Sequence, residues 1–232
     1  MISIRRSADR GHFDFGWLDT RHTFSFGEYH DPRHVGFSDL RVVNEDFVAP
    51  GAGFPSHPHR DMEILTWVLS GAIAHRDSSG GGGVLRTGEL QHMSAGRGIV
   101  HSERNASRTE SLHLLQIWIE PARSGLEPGY AQRAFPPATR PGRLAFVASP
   151  DGRDGSLRIA QDASLLVATL SAGDTTGYDL APGRRAWVQV ARGAIALGSH
   201  RLAAGDGAAL EGETRIDLHA TADAEVLVFD LR

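Results

Sequence analysis

His57-Pro58-His59 and His101-Ser102-Glu103 are two short i, i+2 pairs of metal-binding side chains some forty residues apart. On a β-strand successive side chains point to opposite faces, so i and i+2 lie together, roughly 7 Å apart. Two such pairs on neighbouring strands direct three imidazoles and one carboxylate at a common point. Three neutral nitrogens and one anionic oxygen suit a divalent transition metal: Fe, Mn, Ni, Cu, Co or Zn, with Fe(II) the first choice. Four protein ligands leave one or two positions open for a substrate. The pattern predicts a metalloprotein that is an enzyme.

The elements that must present these pairs read as β-structure. Residues 39–48, 62–69, 112–119, 165–170, 186–190 and 225–231 are short runs rich in Val, Ile, Leu and aromatics. Gly, Pro, Asp and Ser punctuate them at the intervals of a sandwich or barrel, and no 3.6-residue periodicity persists over ten residues. Residues 121–143 hold five of the eleven prolines and read as a crossing linker between a first domain, 1–120, and a second, 144–232. A faint repeat spans that linker. Residues 67–73 resemble 188–195, and 85–90 resemble 202–207, as an internal duplication of one barrel module would give. With Gly71 set against Gly193, His57, His59 and Glu63 fall opposite Asp179, Ala181 and Arg185. The second copy is therefore expected to keep the barrel and lack the ligands.

Composition removes other chemistries. The chain of 232 residues has no cysteine, which excludes disulfides, thiol catalysis and cysteine-ligated clusters. With 24 basic against 28 acidic residues and no long basic run, no nucleic-acid-binding stripe is visible. No apolar stretch approaches a membrane span, and Met1 to Arg10 has no apolar h-region, so the expectation is a soluble, cytoplasmic protein without a membrane partner. A monomer is the default. Ten of the twelve histidines lie in the first 113 residues, placing histidine chemistry in the first domain.

Longer motifs surround the two pairs. Gly53, His57-x-His59-x3-Glu63 and Gly71, then Gly88 and Gly96-Arg97-Gly98-Ile99-Val100-His101, resemble the two motifs of the cupin superfamily. Residues 21–27 (Arg-His-Thr-Phe-Ser-Phe-Gly), 57–60 (His-Pro-His-Arg), 75–78 (His-Arg-Asp-Ser), 95–103 (Ala-Gly-Arg-Gly-Ile-Val-His-Ser-Glu) and Gln116-Ile117-Trp118-Ile119 resemble the pirin family of bicupins. The resemblance is dense from about residue 12 to 135 and thin beyond. It implies an all-β fold of two tandem jelly-roll barrels and one metal in the first, held by His57, His59, His101 and Glu103. It also implies one of two roles: 2,3-dioxygenation of a flavonol such as quercetin, or a metal-sensing regulator docking on a protein partner. Isomerisation by a metal and a base is a third reading. For the dioxygenase, the partners are a small planar aromatic substrate and O2, and Glu103 is the general base for the substrate hydroxyl.

Glu63 is the rival carboxylate. On an unbroken strand its even offset from His59 would turn it into the barrel, either as a ligand or to orient one or pair with Arg60. His12, His22, His30, His34, His75, His92 and His113 are read as ordinary hydrogen-bonded or surface histidines, with His75 and His92 as pocket candidates. Asp61 is read as a salt-bridge or turn residue. Ser102 should point away from His101, so a hydrolytic triad fails on geometry. Residues 79–83 (Ser-Gly-Gly-Gly-Gly) lack the ending of a phosphate loop and read as a hairpin tip. Phe13, Phe15, Trp17, Phe24, Phe26 and Tyr29 are expected to pack over the barrel, with a pocket for a flat substrate as the alternative.

Overall fold

A computed structural model of the chain describes residues 1–137 and 141–232, so residues 138–140 of the expected linker lie outside the described residues. The structure is two β-barrels, each a seven-stranded sheet facing a four-stranded one. In the first barrel the small sheet contains β5 (Gly53–His59), β7 (Ala72–Asp77), β8 (Gly82–Arg86) and β10 (Ile99–Asn105), in the order β5-β10-β7-β8. Its large sheet is built from β2 (Gly11–Asp14), β3 (Leu18–His22), β4 (Leu40–Val48), β6 (Glu63–Ser70), β9 (Glu89–Ser94), β11 (Leu112–Ile119) and β12 (Gly129–Ala134). Their order is β12-β9-β6-β11-β4-β3-β2.

The second barrel repeats this plan. Its small sheet runs β16 (Thr175–Asp179), β21 (Arg215–Ala220), β18 (Ala194–Leu197) and β19 (His200–Ala203). Its large sheet orders β20 (Gly207–Glu211), β17 (Arg185–Arg192), β22 (Ala224–Leu231), β15 (Ser164–Leu170), β13 (Ala145–Ser149) and β14 (Leu157–Arg158) behind one edge strand from elsewhere. That edge strand is β1 (Ile2–Arg5), which crosses from the amino terminus to pair with β20. The segment read as linker is not all linker, because its β12 pairs with β9 and fills the matching edge of the first barrel. Each barrel thus completes its large sheet with a strand drawn from outside the repeated module.

Gly71 and Gly193 mark the duplication in three dimensions. Both have positive φ, 81° and 70°, and both lie against the backbone of the corresponding turn: a Cβ on Gly71 would press tightly on Ser111–Leu112, and one on Gly193 would collide with Asp223–Ala224. Strand pairing refines the alignment made from sequence. His57 pairs with His101, and the corresponding rung of the second barrel joins Tyr178 to Ile216, so Tyr178 rather than Asp179 replaces His57.

The large sheets are buried on both faces, which is why their strands read as apolar runs. Leu65, Trp67 and Leu69 of β6 and Leu115, Ile117 and Ile119 of β11 join Trp187, Leu227 and Phe229 in one cluster between the barrels. Residues of the other parity face the barrel interior: Thr66 on β6, Gln116 on β11, Asn44 on β4. Period 2 along each strand therefore separates an interbarrel seam from a barrel lumen. Polar contacts cross the seam as well, including Trp67 Nε1 donating to Glu225 Oε1 at 2.7 Å and the Arg232–Asp39 ion pair at 2.6 Å.

Candidate metal centre

Strands β5 and β10 are antiparallel neighbours, so His57 meets His101 directly and His59 lies two residues farther along, opposite Ile99. The ladder shifts between His101 and Glu103, and Glu103 next opposes Phe54. Such an irregularity re-aims a side chain. Gly53 permits the close approach here, because a Cβ on it would collide with the Glu103 carbonyl. On its other side β10 pairs with β7, which sets Glu103 opposite His75 and His101 opposite Asp77.

These registers gather two overlapping sets of donors. Ligand atoms of His57, His59 and His101 lie within 4.8 Å of one another, as do those of His75, His101 and Glu103. His101 Nε2 and His57 Nε2 are 3.0 Å apart. Two nitrogens bound at right angles to an ion at about 2.1 Å would lie about 3.0 Å apart, so the spacing fits a shared metal. The His57 Nδ1 faces the Pro55 carbonyl oxygen at 2.7 Å; donating there leaves Nε2 free to bind.

Electrostatics agree with that chemistry, since a histidine ligand must be neutral. Burial lowers the pKa of both His59 and His101 to about 4. Glu103 is only 3% exposed, and burial alone would favour its neutral form. Hydrogen bonding from His75 and the nearby imidazoles outweigh burial and hold its pKa below the ordinary value. The Gln91 and Gln116 amides each donate to a different Glu103 oxygen, at 3.3 Å. Gln116 also accepts from the Thr66 hydroxyl at 2.8 Å, so the carboxylate is held by a network rather than a single contact.

His75 is a hydrogen-bonded core histidine, as expected, and it also stands inside the candidate centre. Its Nε2 is 3.0 Å from Asp77 Oδ2, its ring stacks on Tyr130 at 4.8 Å, and Glu103 and Asp77 raise its pKa against the pull of burial. Glu63 does not serve the centre. Asp61 has a positive φ of 49°, which breaks the strand that the sequence argument assumed continuous. Glu63 restarts the alternation on β6 with its side chain in the interbarrel seam. There it accepts from Ser94 Oγ at 2.5 Å and from the Ala160 amide at 2.9 Å, with His92 Nε2 at 2.7 Å. It neither pairs with Arg60 nor orients a ligand; it ties the two barrels together. His92 goes with it. Asp61 is a turn residue, accepting from the Gly125 amide at 2.6 Å.

Burial alternates along β10, with His101 and Glu103 inside and Ser102 on the other face, so no triad forms. The glycine run forms the β7–β8 hairpin tip and the start of β8. The early aromatics divide between the two roles. Phe24 packs on Trp187 across the seam and Trp17 on Phe54, whereas Phe13, Phe15 and Phe26 line a cavity of about 480 Å³ that reaches His57, His59 and Glu103. That volume is typical of small-molecule sites. Asp46 also lines it; burial pushes its carboxyl up to about 7 although the Thr20 hydroxyl donates to it at 2.5 Å. Asn44, Asp46 and Gln91 had no part in the expectations from sequence, and Gln116 entered only as a member of a family motif. The available signal was a polar residue at an inward position within an otherwise apolar strand.

Comparison with known proteins agrees with the architecture. Residues 3–119 match the family model of pirin, and residues 146–231 match that of the quercetinase C-terminal cupin domain. The chain is 48% identical over 231 residues to a protein of Escherichia coli K12 named quercetin 2,3-dioxygenase, covering 100% of this chain and 99% of the other. It is 43% identical over 231 residues to a pirin-like protein of Caulobacter vibrioides, covering 99% of each. The crystal structure of the bacterial pirin YhhW from Escherichia coli in complex with nickel(II) superposes with a TM-score of 0.94 at 48% identity, over 100% of this chain and 99% of that one.

Proposed function

This chain belongs to the pirin family, and on that premise we propose that it is a metal-dependent dioxygenase that opens a flavonol such as quercetin at the 2,3 position and releases carbon monoxide. The observation that carries the reading is the pair of donor sets that share His101, one with His57 and His59 and one with His75 and Glu103, beside an aromatic-lined cavity that His57, His59 and Glu103 help to wall. Of these, His57, His59, His101 and Glu103 would hold one divalent ion, which would supply a Lewis-acid and redox centre to anchor an enol oxygen and admit O2. A relative solved with nickel supports a divalent ion there and leaves open which ion the cell supplies.

The protein's own residues account for the rest. The cavity, with Phe13 and Phe26 on its wall, offers apolar ring faces on which a planar ring system can pack. Glu103 is ionised, dry and fixed by two amides, so one of its oxygens can take the proton of the substrate's 3-hydroxyl. Loss of that proton makes the ring electron-rich, which is the condition for reaction with O2. His75, hydrogen-bonded to Asp77 and adjacent to Glu103, stabilises the carboxylate before the transfer.

The test is to load metal-free protein separately with Fe(II), Mn(II), Ni(II), Cu(II) and Co(II), then follow quercetin loss and CO release in air and under argon. Oxygen-dependent CO in step with quercetin loss from at least one metal form is the expected result. No turnover from any form that binds metal tightly would refute the dioxygenase reading.

A further inference from the structure

A second cleft, of about 820 Å³, opens along the interbarrel seam and shares no lining residue with the aromatic cavity. Its walls come from three parts of the chain: Glu63 and His92 from the first barrel, Arg158 and Ile159 from the second, Arg123 and Leu126 from the connecting segment. That segment is tied to both barrels, the Ala122 amide donating to the Ala160 carbonyl and the Arg97 amide to the Leu126 carbonyl, each at 2.7 Å. Preformed clefts between domains are where small-molecule sites tend to lie.

The charged groups of this cleft are unequally engaged. Glu127 pairs with Arg97, and Asp162 pairs with Arg184 at 2.9 Å. Burial opposes ionisation of Glu63, but hydrogen bonding from His92, Ser94 and the Ala160 amide outweighs it and lowers its pKa. An ionised carboxylate only accepts, so the His92 Nε2 carries the proton of their 2.7 Å contact. The His92 side chain is 10% exposed, and its Nδ1 is unbonded and open to the cleft. Arg123 and Arg158 make no hydrogen bond or ion pair with any described residue. Every carboxylate here has its partners, and both guanidiniums lack theirs.

We propose that this cleft binds a small organic anion, a carboxylate or phosphate ester on an apolar body, with its oxygens held by Arg123, Arg158 and His92. A guanidinium presents five N–H donors in a planar fork that matches the paired oxygens of either anion. Leu126 and Ile159 give the apolar body a surface beside the forks. His92 Nδ1 accepts from a ligand hydroxyl when the ring is neutral and donates to an anion oxygen when it is charged. The walls belong to both barrels, so neither module forms the site alone. The proposal is independent of the chemistry at the metal.

The test is calorimetry on the nickel-loaded full chain with two pairs of probes, phenyl phosphate against inorganic phosphate and benzoate against acetate. The variants are Arg123→Gln, Arg158→Gln, the two combined, and Arg108→Gln, an exposed arginine outside the cleft. At least one aromatic anion is expected to bind with a Kd below about 1 mM and more tightly than its small counterpart. The pair that binds tighter tells phosphate from carboxylate. Each cleft variant should weaken that anion about tenfold and the double variant further, while Arg108→Gln leaves it unchanged. A crystal soaked with the same anion should show its oxygens within hydrogen-bond reach of both guanidiniums and of His92 Nδ1. Four results would overturn the proposal: no binding, an equal loss in Arg108→Gln, density elsewhere, or binding that disappears with the nickel and ignores the cleft arginines.

Discussion

The two barrels are built on one strand order, yet they differ at nearly every lumen position that matters. In the first, the row His22, Asn44, Gln116, Thr66, Gln91 crosses the large sheet. The same ladder positions in the second are Phe146, Leu166, Val228, Val188 and Ala208. From the facing small sheet, His101, Glu103 and His75 give way to Ile216, Leu218 and Leu197. The second lumen is an apolar core that includes Leu166, Val188, Val228 and Leu218. A buried polar network stabilises only when all its members are satisfied, so a barrel relieved of metal is more simply filled with aliphatic side chains. The backbone is common property, and the lumen side chains decide whether it is a site or a core.

The largest expected effect is confined to the first barrel. Glu103→Gln should cut turnover by about 10²–10⁴-fold, the range for a lost general base, while the protein still binds its ion at reduced affinity. Steady-state CO release alongside metal analysis checks it, and full activity in the variant would remove Glu103 as the base. Exchanging row residues sharpens the contrast. Val228→Gln imports the polar row into the apolar lumen, leaving an unpartnered amide at a cost of about 1–3 kcal/mol in urea unfolding. Gln116→Val, the reverse change, should alter stability less and activity more, by about 10–100-fold, because Glu103 loses one of its two amide supports.

A smaller effect concerns acid. Burial lowers His22, His59 and His101 to about 4 from 6.5, so between those values the unfolded chain binds more protons and these groups make stability rise with pH. Asp46, raised to about 7 from 3.8, acts in the opposite sense over its own window. With three groups against one, metal-free protein should lose stability as pH falls from 6.5 toward 4. Asp46→Asn should steepen that loss, and melting curves of chelator-treated protein would show it. A flat profile would contradict these buried neutral imidazoles.

Much of this was legible in the chain. The runs at 112–119 and 165–170 became β11 and β15 almost residue for residue, because strands buried on both faces are apolar at most positions. The i, i+2 spacing put each pair of side chains on one face of its strand, but that β5 and β10 are neighbours with His57 opposite His101 is set by the register. Glu63 was not legible, because parity counting assumes an unbroken strand and one positive φ at Asp61 resets it. The crossing of β1 into the second barrel was equally hidden, since edge pairing is set by three-dimensional closure and not by any local pattern in residues 2–5. Gln91 and Gln116 were visible as polar residues within apolar strands, but their meaning appears only when the register places both beside Glu103.

The central claim is one metal centre in the first barrel and none in the second. Metal analysis after equilibrium dialysis against Ni(II) tests it directly, on wild-type protein, His101→Ala and the second-barrel counterpart Ile216→Ala. The account predicts about one ion per chain for wild type and Ile216→Ala and almost none for His101→Ala. Retention of the ion by His101→Ala, or its loss from Ile216→Ala with the fold intact, would contradict it.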